Sequence, residues 1–498
     1  MEPRVQKTLH PTQEFGPCLR EILKEKQVSA SELSRMMNYK SRNSIFRILS
    51  GKGGHGARQT FCERLLQEDP LRLDDEQRKR LWQALEISRV GWKAYLDNQA
   101  MRELLMAGKP RPAQQTVRVE AAYLYPQDPD FCKATESLTR AQRVRLTILG
   151  CCDRAIVDAL RERLCRMDVR CEVQIVHLIY TGPEEIVRNI AAIQPLLYCD
   201  FYSAYCIEPG TFSRERERMY RGNCIYAHVQ DEHGDWYDRQ LLLIDKGVFV
   251  PMNRMAAAEH NPIKVLFDQD LARMMPLKAR LRRGMDVREY LAYTEDCRKL
   301  EQNRAIYTIK LDVPVSFVPA DILASCVRDG LPGKEALEAA MEDMERIHRQ
   351  RFENFRTKKK VNHTIFSREA MERFARTGRQ SDHFFALRSY TPGERVRILQ
   401  NLREQEAENP YFHVHFFADD FEPPASEMAL YEGVGTLMAK PYTNYDLSGD
   451  HAETIIAQEE FCASYRAFFL HDLLERHVLS REETLAVLDE LIETAKNT

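Results

Sequence analysis

At 498 residues the chain is too long for one compact domain and fits about three. Its 44% hydrophobic and 30% charged content excludes a disordered, collagen-like or lipid-embedded polymer. No stretch approaches the run of about 18 apolar residues that spans a bilayer, and Met1 to Gln13 hold no apolar signal core. Thirteen scattered cysteines form no CxxC pair, so a cytoplasmic protein with reduced thiols is expected. Charge is uneven: residues 1–115 hold 21 Lys/Arg against 14 Asp/Glu, a net of +7 that leaves −10 for residues 116–498. A basic head on an acidic body points to a polyanion-binding module joined to something of another kind.

The first 70 residues read as short amphipathic helices. Their apolar stripes are Leu19/Ile22/Leu23, Leu33/Met36/Met37, Ile45/Ile48/Leu49 and Phe61/Leu65/Leu66. Ser29 and Glu32 have capping-box spacing, so a helix is predicted to start at Ala30. Asp74 to Leu85 and Trp92 to Leu105 form a helical extension (71–106), and the proline-bearing segment 107–115 suits a linker. Beyond it the period changes. Arg145–Gly150 and Val173–Ile179 read as strands, Ala155–Cys165 and Glu184–Leu197 as helices, which implies a parallel α/β core. Strand-rich stretches Cys224–Gln230 and Gln240–Pro251 flank a polar cluster, Asp231 to Asp235, suited to a hairpin turn.

The pattern restarts near Pro332, giving α/β domains over 116–331 and 332–498. Lys334–Phe355 is a long charged helix, Thr391-Pro-Gly-Glu394 opens another towards Glu408, and Tyr411–Phe417 follows as a strand. Met428–Leu430 and Thr436–Ala439 can pair beside it. Two final helices are expected at Ala452–Arg476 and, after a Ser480/Glu483 capping box, Arg481–Ala495. No repeat of fixed period shows, although the alternation allows two α/β halves.

The sharpest motif runs from Ser29 to Lys52: a short helix, a bend at Asn38-Tyr39-Lys40 and a second short helix. Asn38 suits the bend because asparagine tolerates the left-handed backbone. With Ile45, Ile48 and Leu49 turned inward, Lys40, Ser41, Arg42, Asn43, Ser44, Phe46 and Arg47 face outward, where a recognition helix meets base edges. Arginine can donate twice to guanine and asparagine can pair twice with adenine. Lys52 and Arg58 would neutralise phosphates, with backbone donors near Gln59 and Thr60. Gly51, Gly53 and Gly56 match GxGxxG, but no strand precedes them, so a dinucleotide site is rejected.

These residues resemble the XRE-type, lambda-repressor-like family of bacterial helix-turn-helix DNA-binding domains, the stretch Ile45–Ile48 with Ser50-Gly-Lys52 matching its recognition helix and closing turn. The resemblance implies a multidomain chain: an all-α lambda-repressor-like helix-turn-helix head followed by an α/β (α+β) body. It further implies a sequence-specific regulator of transcription that binds double-stranded DNA as a homodimer, its body sensing a small-molecule or protein effector or assembling the protein. No cofactor, metal or catalytic set is expected.

The body offers weak chemistry. Cys151-Cys152 sits where a strand meets a helix, but no arginine follows at phosphate-loop spacing, so core thiols are expected. His413 and His415 alternate on one strand and, with Asp419 or Asp420, sketch a metal site; packed sheet-face histidines are the plainer reading, as a turn is for Asp231, His233 and Asp235. The α/β alternation also resembles phospholipase-D-like domains. His260 and Lys264 have the wrong spacing for that chemistry, so a degenerate hydrolase, or an interaction scaffold tethered to DNA, is the alternative. Phe461, Tyr465, Phe468, Phe469 and Leu473 suit core packing better than a dimer face.

Overall fold

The computed structural model describes residues 14–39, 42–52, 54–106, 141–150, 152, 154, 157–158, 160–161, 172–197, 199, 201–220, 223–230, 233–234, 236–244, 248–256, 269–271, 273–283, 287–311, 313–330, 334–357, 359–379, 388–439 and 450–498. The chain forms two compact units, Met1–Gln99 and Ala100–Thr498. The helix Trp92–Met106 crosses that division, and the expected linker at 107–115 lies outside the described residues.

The described part of the first unit is helical: α1 Phe15–Glu25, α2 Ala30–Met36, α3 Arg42–Leu49, α4 His55–Glu68 and α5 Asp75–Val90. Their apolar stripes meet in one core, where Phe15, Leu19, Ile22, Leu33, Ile45, Phe61, Leu65 and Leu81 are fully buried. Phe15 and Phe61 pack edge to face at 6.3 Å. The Ser29/Glu32 capping box forms and α2 starts at Ala30. Asp74 and Gln77 make the same reciprocal cap at the start of α5.

The second unit contains two seven-stranded sheets. In the first, β1 Arg143–Leu149, β2 Glu172–Tyr180 and β3 Tyr202–Ile207 run parallel. The antiparallel meander β4 Asn223–Gln230, β5 Trp236–Ile244 and β6 Val248–Ala256 attaches beside β1. In the second, β9 Ile306–Lys310, β10 Asn362–Phe366 and β11 Phe412–Phe416 run parallel. The meander β12 Met428–Tyr431, β13 Gly435–Ala439 and β14 Asp450–Ile456 attaches beside β9.

The orders 3-2-1-4-5-6 and 11-10-9-12-13-14 are therefore one pattern used twice. A short β7, Met275–Pro276, adds to the β3 edge, and β8, Lys278–Arg283, to the β14 edge, so the chain passes from one sheet to the other at Leu277. The second sheet thus draws β8 and β9 from before residue 332. One apolar cluster joins both sheets, from Val144, Ile175 and Ile225 to Ile309, Ile365 and Phe469. The far face of the second sheet carries its own cluster under the helices Ala320–Gly330, Pro392–Glu408 and Arg481–Lys496.

The expected helix Ala452–Arg476 is corrected: residues 450–456 are β14, paired with β13 and β8, and helix begins only at Glu459. Thr454, Ile455 and Ile456 are β-branched and favour the pleated surface. The helix then widens into a π segment at Phe468–Leu473. Phe461, Tyr465, Phe468, Phe469 and Leu473 are wholly buried, which makes them core.

Candidate functional site

Helix α3 is held from behind and at its C-terminal end, and the helix before it is closed at its own end. Ile45, Ile48 and Leu49 face the core at 0%, 5% and 6% exposure. Ahead of it, α2 closes on Asn38, whose φ of 53° is left-handed; Asn38 N–H donates to the Arg35 carbonyl and Tyr39 N–H to the Ser34 carbonyl. That pair of bonds is the Schellman arrangement, satisfying carbonyls that a helix end leaves open. Helix α3 closes the same way through Gly51, with Gly51 N–H on Ile48 and Lys52 N–H on Arg47. Arg20 Nη1 donates to the Leu49 carbonyl at 2.6 Å, and Gly16 lies so close that a Cβ there would stand 2.3 Å from that oxygen. Glycine is needed at position 16 because backbone, not a movable side chain, fills the space.

The outer strip of α3 is Asn43, Phe46 and Arg47, continued by Ser50, all exposed; Ser44 is half-buried. Lys52 is exposed just beyond the closing turn. Lys40, Ser41 and Gly53 lie outside the described residues, as does the side chain of Arg42. Arg58 is half-buried on α4. One expectation is corrected: α4 starts at His55 behind the N-cap Gly54, so Gln59 and Thr60 sit in its second turn and not at its start. Their amides belong to the helix ladder. The side chain of Gln59 already donates to Glu63 at 2.9 Å. The ladder is already running in the first turn of α4, where Arg58 N–H donates to the Gly54 carbonyl.

In the body, two polar clusters appear that the sequence did not connect. At the end of β1 and β2, fully buried His177 places Nε2 2.6 Å from the Gly150 carbonyl and Nδ1 2.8 Å from the Tyr202 hydroxyl. The geometry fixes the tautomer, Nε2 donating and Nδ1 accepting. Burial holds His177 down at about 4 against the partial support of that carbonyl. Cys152 donates to the same carbonyl at 3.2 Å, and burial raises its thiol far above the ordinary range. A thiol so held is a poor nucleophile, and Cys152 sits half-buried against the apolar cluster that joins the sheets. Cys151 lies outside the described residues.

The second cluster lies on β10 and β11. Tyr307, His363 and His413 are register partners across three strands and stack: 6.0 Å for Tyr307–His363 and 4.7 Å for His363–His413. His363 Nδ1 and His415 Nε2 are 3.0 Å apart, a single shared proton linking two neutral rings. Burial, then the neighbouring imidazole charge, holds His363 at about 4 and His415 at about 3. His413 is lowered by burial and by Arg481. Among the described residues no group of three or more His, Cys, Asp or Glu is arranged to hold a metal ion. Asp420 turns instead to His477, 3.4 Å away. His363 is 50 residues from His413 in sequence and gave no signal there; only parallel register brings them together. His233 is exposed at the β4–β5 turn, while Asp231, Asp235, His260 and Lys264 lie outside the described residues.

No protein-family model and no curated protein matches this chain. Among solved structures, one that resembles it is a phosphatidylserine synthase of Haemophilus influenzae, at 12% identity and a TM-score of 0.24, covering 73% of this chain and 90% of that one. A likeness that slight speaks for neither fold nor function. Among the described residues no helix is long and apolar enough to cross a membrane.

Proposed function

We propose that this chain is a sequence-specific double-stranded DNA-binding regulator of transcription, with a lambda-repressor-like helix-turn-helix head and an α/β body that senses an effector or assembles the protein. One observation supports the reading above the others. Helix α3 buries one face, is closed at its C-terminal end, and leaves Asn43, Phe46 and Arg47 exposed on a unit with a basic surplus. A rod about 10–12 Å across fits the major groove of B-DNA, and such residues can read base edges there. Lys40, Ser41 and Arg42 would complete the reading end, and Lys52 and Arg58 would meet phosphates. One short helix reads few base pairs, so a homodimer with heads spaced one helical turn, about 34–36 Å, is the form proposed.

The test is selection of duplexes from a random library by the full-length protein, followed by titration of the enriched site against scrambled DNA. Asn43→Ala and Arg42→Ala should relax base preference at single positions. Lys52→Ala should weaken all duplexes alike and reduce the salt slope by about one. Failure of the full-length chain to enrich any duplex would remove the reading.

A further inference from the structure

Among the described residues four large apolar side chains stand exposed: Met36 at 45%, Phe46 at 50%, Trp82 at 40% and Tyr411 at 37%. Two of them lie on the pair of helices α2 and α3. Phe46 is the more informative, because its neighbours on the strip are all polar: Asn43 one turn before, Arg47 beside it, Ser50 one turn after. The core of the unit is already closed on the opposite face by Ile45, Ile48 and Leu49. Folding therefore gains little from a phenyl ring at position 46, and water bears the cost of half of it. Such a ring gains when a partner covers it with apolar surface, and its polar and basic neighbours favour a partner that carries that surface in a negatively charged setting. The 5-methyl group of thymine in the major groove is such a surface, flanked by phosphates that suit Arg47 and the exposed Lys52.

We propose that Phe46 reads thymine methyl groups, so that the DNA bound by this protein carries thymine where α3 enters the groove. The inference rests on the DNA-binding reading above and sharpens it to one side chain and one chemical group. It also separates DNA from double-stranded RNA, which lacks that methyl and whose major groove is too narrow to admit a helix.

The experiment uses the full-length chain and its selected duplex, with each thymine replaced in turn by uracil, which lacks only the methyl group. The wild-type protein should lose about four-fold in affinity at each thymine that Phe46 touches, the worth of one buried methyl. Phe46→Ala should bind thymine and uracil duplexes alike, with the affinity the wild type has for uracil. Phe46→Leu keeps an apolar tip and should retain part of the preference, which guards against a folding defect in the alanine variant. Equal wild-type affinity for thymine and uracil at every position, with sequence selectivity intact, would overturn the inference and leave DNA binding standing. Absence of any selective duplex would instead sink the DNA reading itself, and this inference with it. A Phe46→Ala protein that keeps the thymine preference but sediments as a smaller species would assign the ring to contact between copies, and overturn the inference as well.

Discussion

Arg395 is a cation with 3% exposure that meets carbonyls in place of a carboxylate. Its Nη1 donates to the carbonyls of Ala375 and Arg376, at the end of the helix Arg368–Thr377, and to the Thr498 hydroxyl. A positive charge there complements the negative end of the helix dipole and ties Thr498 to a helix whose Ala375 lies 123 positions earlier. Arg395→Met should cost about 2–4 kcal/mol in urea unfolding, because it strips charged donors from buried carbonyls. No sequence signal marks Arg395, since its partners are two backbone carbonyls and one hydroxyl that lie far from it along the chain. Local rules were more legible. The left-handed turn at Asn38 was expected from its side chain and is present, and so are the Thr391/Glu394 and Ser480/Glu483 capping boxes. These features lie within four residues of each other, where propensity and hydrogen-bond reach decide the outcome without tertiary help.

The placement of α3 depends on the close approach of α1. A methyl group at Gly16 would force the Leu49 carbonyl aside, disturbing the Arg20 bond and the helix end together. Gly16→Ala should therefore destabilise the first unit by about 1–3 kcal/mol and weaken duplex binding. Gly56→Ala on α4 meets nothing within 4 Å and should stabilise by about 0.5–1 kcal/mol. Thermal melts of the two variants give the comparison. A second helix shows its cap through pH. Glu394 is held down at about 2, first by hydrogen bonds from Arg388, then by the Thr391 amide and hydroxyl. An acid depressed in the fold contributes stability that is complete above its unfolded pKa of about 4.3 and is lost as pH falls through 2. Glu394→Gln should therefore be less stable than wild type at pH 7, by about 1–2 kcal/mol, with the gap closing between pH 4.3 and 2. Equal stability at pH 7 would count against the Arg388 pairing. Element boundaries failed in sequence where pairing decides them. Residues 452–456 carry a helix-compatible start at Ala452 and Glu453, yet become β14 because β13 and β8 offer hydrogen bonds on either side.

At the scale of the whole molecule, the twice-used strand order explains why two halves were only faintly visible. The parallel trios are interrupted by unlike insertions: the stretch from β10 to β11 holds the two helices Arg368–Thr377 and Pro392–Glu408, while the equivalent β2 and β3 are joined through the short helix Ile186–Ile193. Hydrophobic period alone cannot register strands separated by such different lengths, and His363 stayed hidden for the same reason. Both sheets nonetheless place a neutral histidine on the middle strand of their parallel trio, His177 on β2 and His363 on β10. Their burial, with that of His415, couples folding to acid. Each ring titrates near 6.5 when unfolded but at about 4 or about 3 in the fold, so below pH 6.5 the unfolded chain binds more protons. Stability must then rise with pH across this window, being complete above 6.5 and eroded steadily down to 4. The melting temperature should fall steeply between pH 6.5 and 4, more steeply than one histidine would give. Replacing His363 and His415 together by phenylalanine keeps the stack with Tyr307, removes two proton acceptors and should flatten that slope. A double variant whose melting temperature falls over pH 6.5 to 4 as steeply as the wild type would show that these rings titrate in the folded chain as they do in the unfolded one, and that burial between β10 and β11 does not hold them neutral.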